Sequence, residues 1–298
     1  MIKRTVVIEQ AVRLSTQDEQ LVIRYLGTED LVKKVPIEDL SLVLIEHPQT
    51  SLTHQLVIKL MQQNVAVVHC DEKYMPVSLH QPLNSHSAYA ERLKYQLEAS
   101  LPLKKMLWQQ TITVKILNQF KLMDNLGIPA AKMKTWAKEV KPGDELNHEA
   151  RAAAFYWSQV TQINGFRRDR ELSDLNVWFN YAYSILRSIT ARSLVSSGLL
   201  PVLGIFHRGK YNAYALADDI MEPFRPIVDQ MVIDIKNQGF NWNEFTREVK
   251  VKLLQVPTLD VLMENKKSPL QVAMSRTTNS LFECFSGNLR KIRYPELI

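Results

Sequence analysis

The chain is expected to be an α+β protein: a small β-rich N-terminal domain of antiparallel strands with one helix, followed by a larger all-α C-terminal domain. Three observations lead there. Short Val- and Ile-rich runs broken by turn residues fill residues 1–78, long helical periodicity takes over after residue 87, and a Pro- and Ser-containing stretch lies between. A length of 298 residues leaves room for two domains of roughly 100 to 200 residues each. The expected divisions are a β-rich domain at 1–78, a linker at 79–87, an α-helical domain at 88–286 and a basic tail at 287–298.

In the first domain, strands are expected at residues 5–8, 11–14, 20–25, 31–35, 42–46 and 65–70, separated by polar or turn-forming stretches such as 15–19 and 27–30. One helix interrupts them at 52–63, where Leu52, Leu56, Leu60 and Met61 follow a helical spacing rather than an alternating one. Residues 76–87, with Pro82, Asn84 and serines, read as the connection to the second domain. There, helical periodicity predicts helices at 87–98, 103–125, 130–140, 144–161, 175–197, 214–239, 242–254 and 270–286. Lys141-Pro142-Gly143 before one helix and Gly239 at the end of another are suitable start and stop chemistry.

A composition of 46 % hydrophobic and 23 % charged residues is that of a globular chain and excludes disordered and fibrous classes. Only 9 glycines are present, and no phosphate-cradling G-x-G-x-x-G or G-x-x-x-x-G-K-[ST] loop occurs, which argues against nucleotide-driven motors and dinucleotide-dependent dehydrogenases. No G-x-S-x-G elbow is found. Cys70 and Cys284 stand alone, outside any zinc spacing, as expected in a reducing compartment. The longest run free of charge and His, 193–206, is too short to span a bilayer, and the apolar run at 6–8 is too short for a signal-peptide core. A cytoplasmic protein with no membrane association is therefore expected.

Charge is unevenly spread. Residues 1–80 hold 8 basic and 10 acidic side chains, a net of −2, so the total of +6 leaves +8 for residues 81–298. An excess confined to the helical part fits a polyanionic partner, although a merely solvated basic surface is an equally good reading of charge alone. Arg167, Arg168 and Arg170 form a short basic cluster that either grips phosphates or decorates a loop.

Chemistry concentrates in two segments. In Leu216-Ala217-Asp218-Asp219-Ile220-Met221-Glu222-Pro223-Phe224-Arg225-Pro226, three carboxylates within five residues repel one another on a helix between apolar neighbours, which suggests a cation or a set of basic partners. Pro223 places Glu222 at a kink or boundary. The other segment is Asn147-His148-Glu149-Ala150-Arg151-Ala152-Ala153-Ala154, which is no zincin motif because Ala152 stands where a second His is required. Its alanines let another helix approach closely, so Glu149 needs a partner: an ion, or a basic residue on its own or a neighbouring helix. His207 lies at the edge of the apolar run.

Taken in order, a Glu in an alanine-rich helix, a lone His about sixty residues on, and a D-D-x-x-E-P-F-R-P run resemble the CRISPR-associated spacer-acquisition integrase, the endonuclease subunit of the adaptation complex. The stretch His207-Arg-Gly-Lys-Tyr-Asn-Ala-Tyr-Ala-Leu-Ala-Asp-Asp-Ile-Met-Glu-Pro-Phe-Arg-Pro226 is most similar to the type II branch. The resemblance spans essentially the whole chain. It implies metal-dependent cutting and joining of DNA, in which the 3′-hydroxyl of a captured fragment attacks a phosphodiester in the repeat array. It implies metal ligands at Glu149, His207 and Glu222 and leaves open which of Asp218 and Asp219 joins them. Two carboxylates and a neutral imidazole suit Mg²⁺ or Mn²⁺. Arg167, Arg168, Arg208, Lys210 and Arg225 are the candidate DNA contacts. A homodimer and a small second subunit are further implications. Two other classes compete: an all-α prenyl-diphosphate enzyme that holds Mg²⁺ on the Asp218–Glu222 run, and a non-catalytic DNA-binding scaffold.

Overall fold

In the computed structural model, which describes residues 3–27, 31–72, 75–83 and 86–298, the chain divides into two compact units, Met1–Ser87 and Ala88–Ile298. In the first unit the strands are β1 (Arg4–Ile8), β2 (Val12–Gln17), β3 (Gln20–Tyr25), β4 (Val32–Pro36), β5 (Leu40–Ile45) and β6 (Ser51–Leu52). Helix α1 (His54–Gln62), β7 (Ala66–Cys70) and β8 (Pro76–His80) follow. They form two four-stranded sheets, ordered β1-β5-β7-β8 and β4-β3-β2-β6.

The expectation of antiparallel strands holds for β2-β3-β4 but not for the other sheet, where β1, β5 and β7 run parallel and only β8 is antiparallel. The reason lies in β5, Leu-Ser-Leu-Val-Leu-Ile, which is buried at every position. A strand covered on both faces reads as a continuous apolar run, and α1 provides the crossover that returns the chain in the same direction. Thr53 caps α1 by accepting the Leu56 amide, and Asn64, at φ 51°, turns the chain into β7. Leu56 and Leu60 of α1 join Leu14, Leu21, Val43 and Val67 in one buried cluster. Part of the expected linker is strand β8, while Asn84 and Ser85, like part of the turn expected at 27–30, lie outside the described residues.

The second unit contains α2 (Tyr89–Glu98), α3 (Leu101–Asn125), α4 (Ala131–Glu139), α5 (His148–Trp157), α6 (Leu175–Ser196), α7 (Ala215–Met221), α8 (Arg225–Asn237) and α9 (Arg247–Leu253). A hairpin of β9 (Asp260–Met263) and β10 (Lys266–Pro269) then leads into α10 (Leu270–Phe285). Helix α6 is buried on nearly all sides, with Trp178, Phe179, Tyr181 and Tyr183 inside, and Asp174 caps it by accepting the Asn176 amide. Helix α3 packs against α4, α5 and α8, and α6 against α7, α8 and α10.

Three expectations are corrected here. The single helix expected at 214–239 is split by a 3-10 turn at Glu222–Phe224, because Pro223 and Pro226 remove backbone donors in succession. The domain is not wholly helical: Glu264 and Asn265, both at positive φ, make the two-residue turn of the β9–β10 hairpin. Residues 287–298 are no free tail, since Ile292 and Leu297 are buried and Asn118 of α3 bonds the backbone of Pro295 and Leu297.

Candidate active site

Glu149 stands in the first turn of α5, and its position is set by Asp144. Held at φ 50° after Pro142-Gly143, Asp144 accepts the backbone amides of His148 and Glu149, both at 2.9 Å. These are two of the four donors that a helix start leaves unpaired. Buried Ala152 lets α5 sit close to α3, from which Lys115 reaches across. The Lys115 Nζ lies 2.6 Å from Glu149 Oε1.

Glu222 arrives from the opposite side, on the 3-10 turn between α7 and α8, which is pinned to α3 where Asn118 Nδ2 donates to the Pro223 carbonyl at 2.8 Å. Its Oε2 is also 2.6 Å from Lys115 Nζ, and its Oε1 is 3.0 Å from Arg225 Nε. Both contacts are ion pairs off the ideal hydrogen-bond direction, so Glu222 Oε2 is buried next to a charge but without an aligned donor. Burial opposes ionisation of Glu222, yet Arg225 and Lys115 outweigh it and hold the carboxyl below the ordinary glutamate range. Burial likewise works against the Lys115 ammonium, but Glu222 and Glu149 overcome it and raise its pKa.

His207 lies on the loop between α6 and α7, and Asp219 organises that loop. Its fully buried carboxylate accepts the amides of Ile205, Phe206 and His207 at 2.7, 2.9 and 3.1 Å, and His207 Nδ1 is 2.5 Å away. Gly204 makes this wrapping possible, because a Cβ there would fall 2.3 Å from the His207 carbonyl and 2.9 Å from Asp219 Oδ2. Phe206 stacks on buried Trp108 at 4.2 Å, and the His207 ring meets Trp108 edge-on. The Asp219 contact raises the His207 pKa against the effect of burial. Burial raises the Asp219 pKa, although His207 and the loop amides pull the other way. With three amides donating to Asp219, the carboxylate is the acceptor towards the imidazole as well, so His207 donates its Nδ1–H to it and the neutral ring keeps its lone pair on Nε2.

The acidic run is thus less crowded than its sequence suggests. Asp218 points to Arg187 Nε at 2.7 Å and Asn212 Nδ2 at 2.8 Å, and Asp219 to the His207 loop, so each carboxylate has its own partners. Adjacent residues on a helix point about 100° apart, which spacing along the chain conceals. Among the described residues, no three His, Cys, Asp or Glu side chains stand assembled as a metal-binding group; Glu149 and Glu222 close on Lys115 instead.

Lys115, His207 and Glu222, though not Glu149, line a cleft of about 440 Å³ together with Arg168, Arg170 and Arg225, among others. Arg168 is not a loose surface arginine: it donates to Asn176 and Asn180 at 2.8 Å and lies against Trp157, Phe179 and Tyr183. Arg225 lies over the Tyr183 ring. Arg208 and Lys210, both exposed, border a second hollow of about 300 Å³ that shares His207 with the first. Arg167 lines neither hollow, and its exposed side chain pairs with Asp169 at 3.8 Å.

Sequence reasoning missed Lys115 and Asp229. Asp229 accepts the hydroxyls of Tyr156 and Tyr183 at 2.7 and 2.5 Å on the floor of the cleft. A signal existed for both residues. Lys115 shares a helix face with Thr111, Ile112, Asn118 and Gln119, and Asp229 with Pro226, Val232 and Ile233, all buried, so each charge needed a buried partner.

Comparison with known proteins is consistent with this architecture. The family model described as CRISPR associated protein Cas1 matches residues 5–265. A CRISPR-associated endonuclease Cas1 from Neisseria meningitidis serogroup C is 34 % identical over 301 residues, covering 100 % of this chain and 97 % of that one. Among solved structures, a casposase bound to integration product superposes with a TM-score of 0.77 at 19 % identity, over 97 % of this chain and 92 % of that one. A chain of a Cas6-RT-Cas1–Cas2 complex does so with a TM-score of 0.77 at 19 % identity, over 99 % of this chain and 36 % of that longer one. The family match removes the prenyl-diphosphate reading, and the divergent partners of Asp218 and Asp219 agree with its removal.

Proposed function

The chain belongs to the CRISPR-associated Cas1 family, and we propose that it is a metal-dependent DNA endonuclease and integrase that joins captured fragments to a repeat array, with Glu149, His207 and Glu222 as its metal ligands. The observation that carries this reading is the convergence of Glu149 from α5 and Glu222 from the α7–α8 junction on one positive charge, Lys115, which with Glu222 lines a cleft walled by Arg168, Arg170 and Arg225.

The donor set fits Mg²⁺ or Mn²⁺. Two carboxylates from separate elements meet, Glu222 Oε2 has no aligned donor, and Asp219 commits the Nδ1 proton of His207 so that Nε2 can ligate. When bound, such an ion polarises a phosphoryl oxygen and stabilises the oxygens that attack and leave. The protein's own side chains do the rest. Arg168, Arg170 and Arg225 offset phosphodiester charge, the first and last of them held rigid by aromatic stacking. Asp219 and the Trp108–Phe206 stack keep the His207 ring in one orientation. Arg208 and Lys210, exposed beside the second hollow, suit a DNA strand that reaches His207 from that side, and Arg167 suits a more distant backbone contact.

The neighbours bound to an integration product and assembled with Cas2 support DNA and a small second subunit as partners of this chain. Homodimerisation and the type II branch complete the proposal, the latter on the His207–Pro226 stretch. The test is strand transfer on branched DNA together with Mn²⁺ binding, for Glu149→Gln, Glu222→Gln and His207→Ala. Each variant should keep its fold by circular dichroism, bind Mn²⁺ more weakly and lose roughly 100-fold or more in strand transfer. Wild-type Mn²⁺ binding and transfer in Glu149→Gln would overturn the three-segment site.

A further inference from the structure

Among the described residues, Lys115 is the cation that both carboxylates share: its Nζ is 2.6 Å from Glu149 Oε1 and 2.6 Å from Glu222 Oε2. It is buried, and it reaches this position from the middle of α3, whose neighbouring side chains Ile112, Ile116 and Gln119 are buried as well. Taking an ammonium out of water is costly unless it is closely paired, and so is taking out two carboxylates that face each other. Arg225 neutralises the other oxygen of Glu222 at 3.0 Å, but Glu149 has no other cation within ion-pair distance among the described residues. Without a charge between them, the two acids would repel.

We infer that Lys115 is the built-in counter-ion of this site: its ammonium holds the place between Glu149 and Glu222 in the empty protein, competes with a divalent ion for the two carboxylates, and must withdraw when the ion is taken up. The inference rests on the reading that these carboxylates hold a metal. It assigns Lys115 a positioning role: the residue keeps the carboxylates together before loading and sets how tightly the site loads. The side chain has somewhere to go. Lys115 lines the cleft beside Arg168 and Arg225, and a four-carbon stem can carry the ammonium into that space by rotamer changes alone. A displaced ammonium there would face the same phosphodiester as the arginines.

A plain structural brace predicts the opposite effect of mutation. If Lys115 only ties α3 to α5 and to the α7–α8 junction, removing it loosens the carboxylates and weakens metal binding. If it competes with the ion, removing it leaves two unneutralised carboxylates and strengthens binding. The experiment is Mn²⁺ titration, read by the electron-spin signal of free Mn²⁺, on the full-length wild type, Lys115→Met, Lys115→Gln, Glu149→Gln and Glu222→Gln. In parallel, amine labelling of the wild type at Lys115 is read by peptide mass spectrometry with and without Mn²⁺. The expected results are Mn²⁺ binding at least about tenfold tighter in Lys115→Met and Lys115→Gln, and faster labelling of Lys115 once Mn²⁺ is added. Equal or weaker binding in either folded variant overturns the inference. Should neither variant fold, the labelling decides, and a Lys115 amine that labels no faster with Mn²⁺ overturns it. The carboxylate variants separate the two levels of the argument. If they abolish Mn²⁺ binding while the Lys115 variants bind like wild type, only the counter-ion is wrong. If they leave wild-type binding intact, the metal site itself is wrong and the counter-ion falls with it.

Discussion

Asp229 shows how much a single buried side chain can report. It is 1 % exposed, accepts the hydroxyls of Tyr156 and Tyr183, and is pushed by burial up to about 6, against the effect of those two hydrogen bonds. The sign follows from linkage. An acid whose pKa is higher folded than unfolded binds more protons in the fold, so its contribution to stability falls as pH rises from about 4 to about 6 and is level above that. The size is of the order of 3 kcal/mol for a shift of about two units. Asp229→Asn, with one carbonyl oxygen left for two hydroxyls, should lower stability at pH 5 and also flatten the pH dependence across that window. Urea unfolding of both proteins at several pH values between 4 and 7 measures it, and parallel profiles would show that Asp229 does not titrate there. His207 has a linkage of the same sign: the Asp219 contact stabilises the fold below the ordinary His range, and that gain is lost as pH rises through the raised pKa.

At the level of elements, the site depends on how helices begin and break. Glu149 is displayed because α5 starts where Asp144 satisfies two of its amides, and Glu222 because Pro223 and Pro226 interrupt what would have been one helix. Asp144→Ala leaves the His148 and Glu149 amides without a buried acceptor and should cost about 1–2 kcal/mol in urea unfolding. Strand transfer should fall with it, since the start of α5 positions Glu149. Stability within a few tenths of a kcal/mol of wild type would show that the cap does not hold the turn. The same logic applies to the loop before α7, where Gln96 of α2 bonds the backbone of Leu200 and Leu203 and Asp219 gathers the next three amides.

For the molecule as a whole, charge and architecture divide the labour. The net +8 of residues 81–298 falls entirely in the unit that also carries the cleft, since residues 81–87 hold no Lys, Arg, Asp or Glu. No described helix is long and apolar enough to cross a membrane. A basic surface binds DNA largely by releasing counter-ions, so affinity for a branched duplex should fall at least roughly tenfold between about 50 and about 200 mM salt. Fluorescence anisotropy with a labelled branched duplex checks this, and a flat salt response would separate the charge excess from DNA binding. The same titration on Glu149→Gln should give a wild-type slope, because that carboxylate contacts no phosphate in the proposed site.

Much of this was readable from the residues because it is local. Helix periodicity marked α3, α6 and α10 within a few residues, turn chemistry separated the β-rich part from the helical part, and the order of Glu149, His207 and the Asp218–Glu222 run carried the family resemblance. Strand direction was not readable, because in the parallel β1-β5-β7 sheet β1 reaches β5 through the whole of β2 to β4, the α1 crossover returns the chain from β5 to β7, and both faces of β5 are covered, all of which is non-local. Nor was the packing of residues 292–297 against α3, which rests on Asn118, some 180 positions away. The partner of each site carboxylate was equally hidden. Asp218 and Asp219 are adjacent in the chain yet serve Arg187 and His207, while Glu149 and Glu222, far apart in the chain, meet on Lys115. Which residues are ionisable is written in the chain, whereas which charges they face depends on helices packed at distances that the linear order does not encode, and for ionised groups in a buried cleft that pairing sets their chemistry.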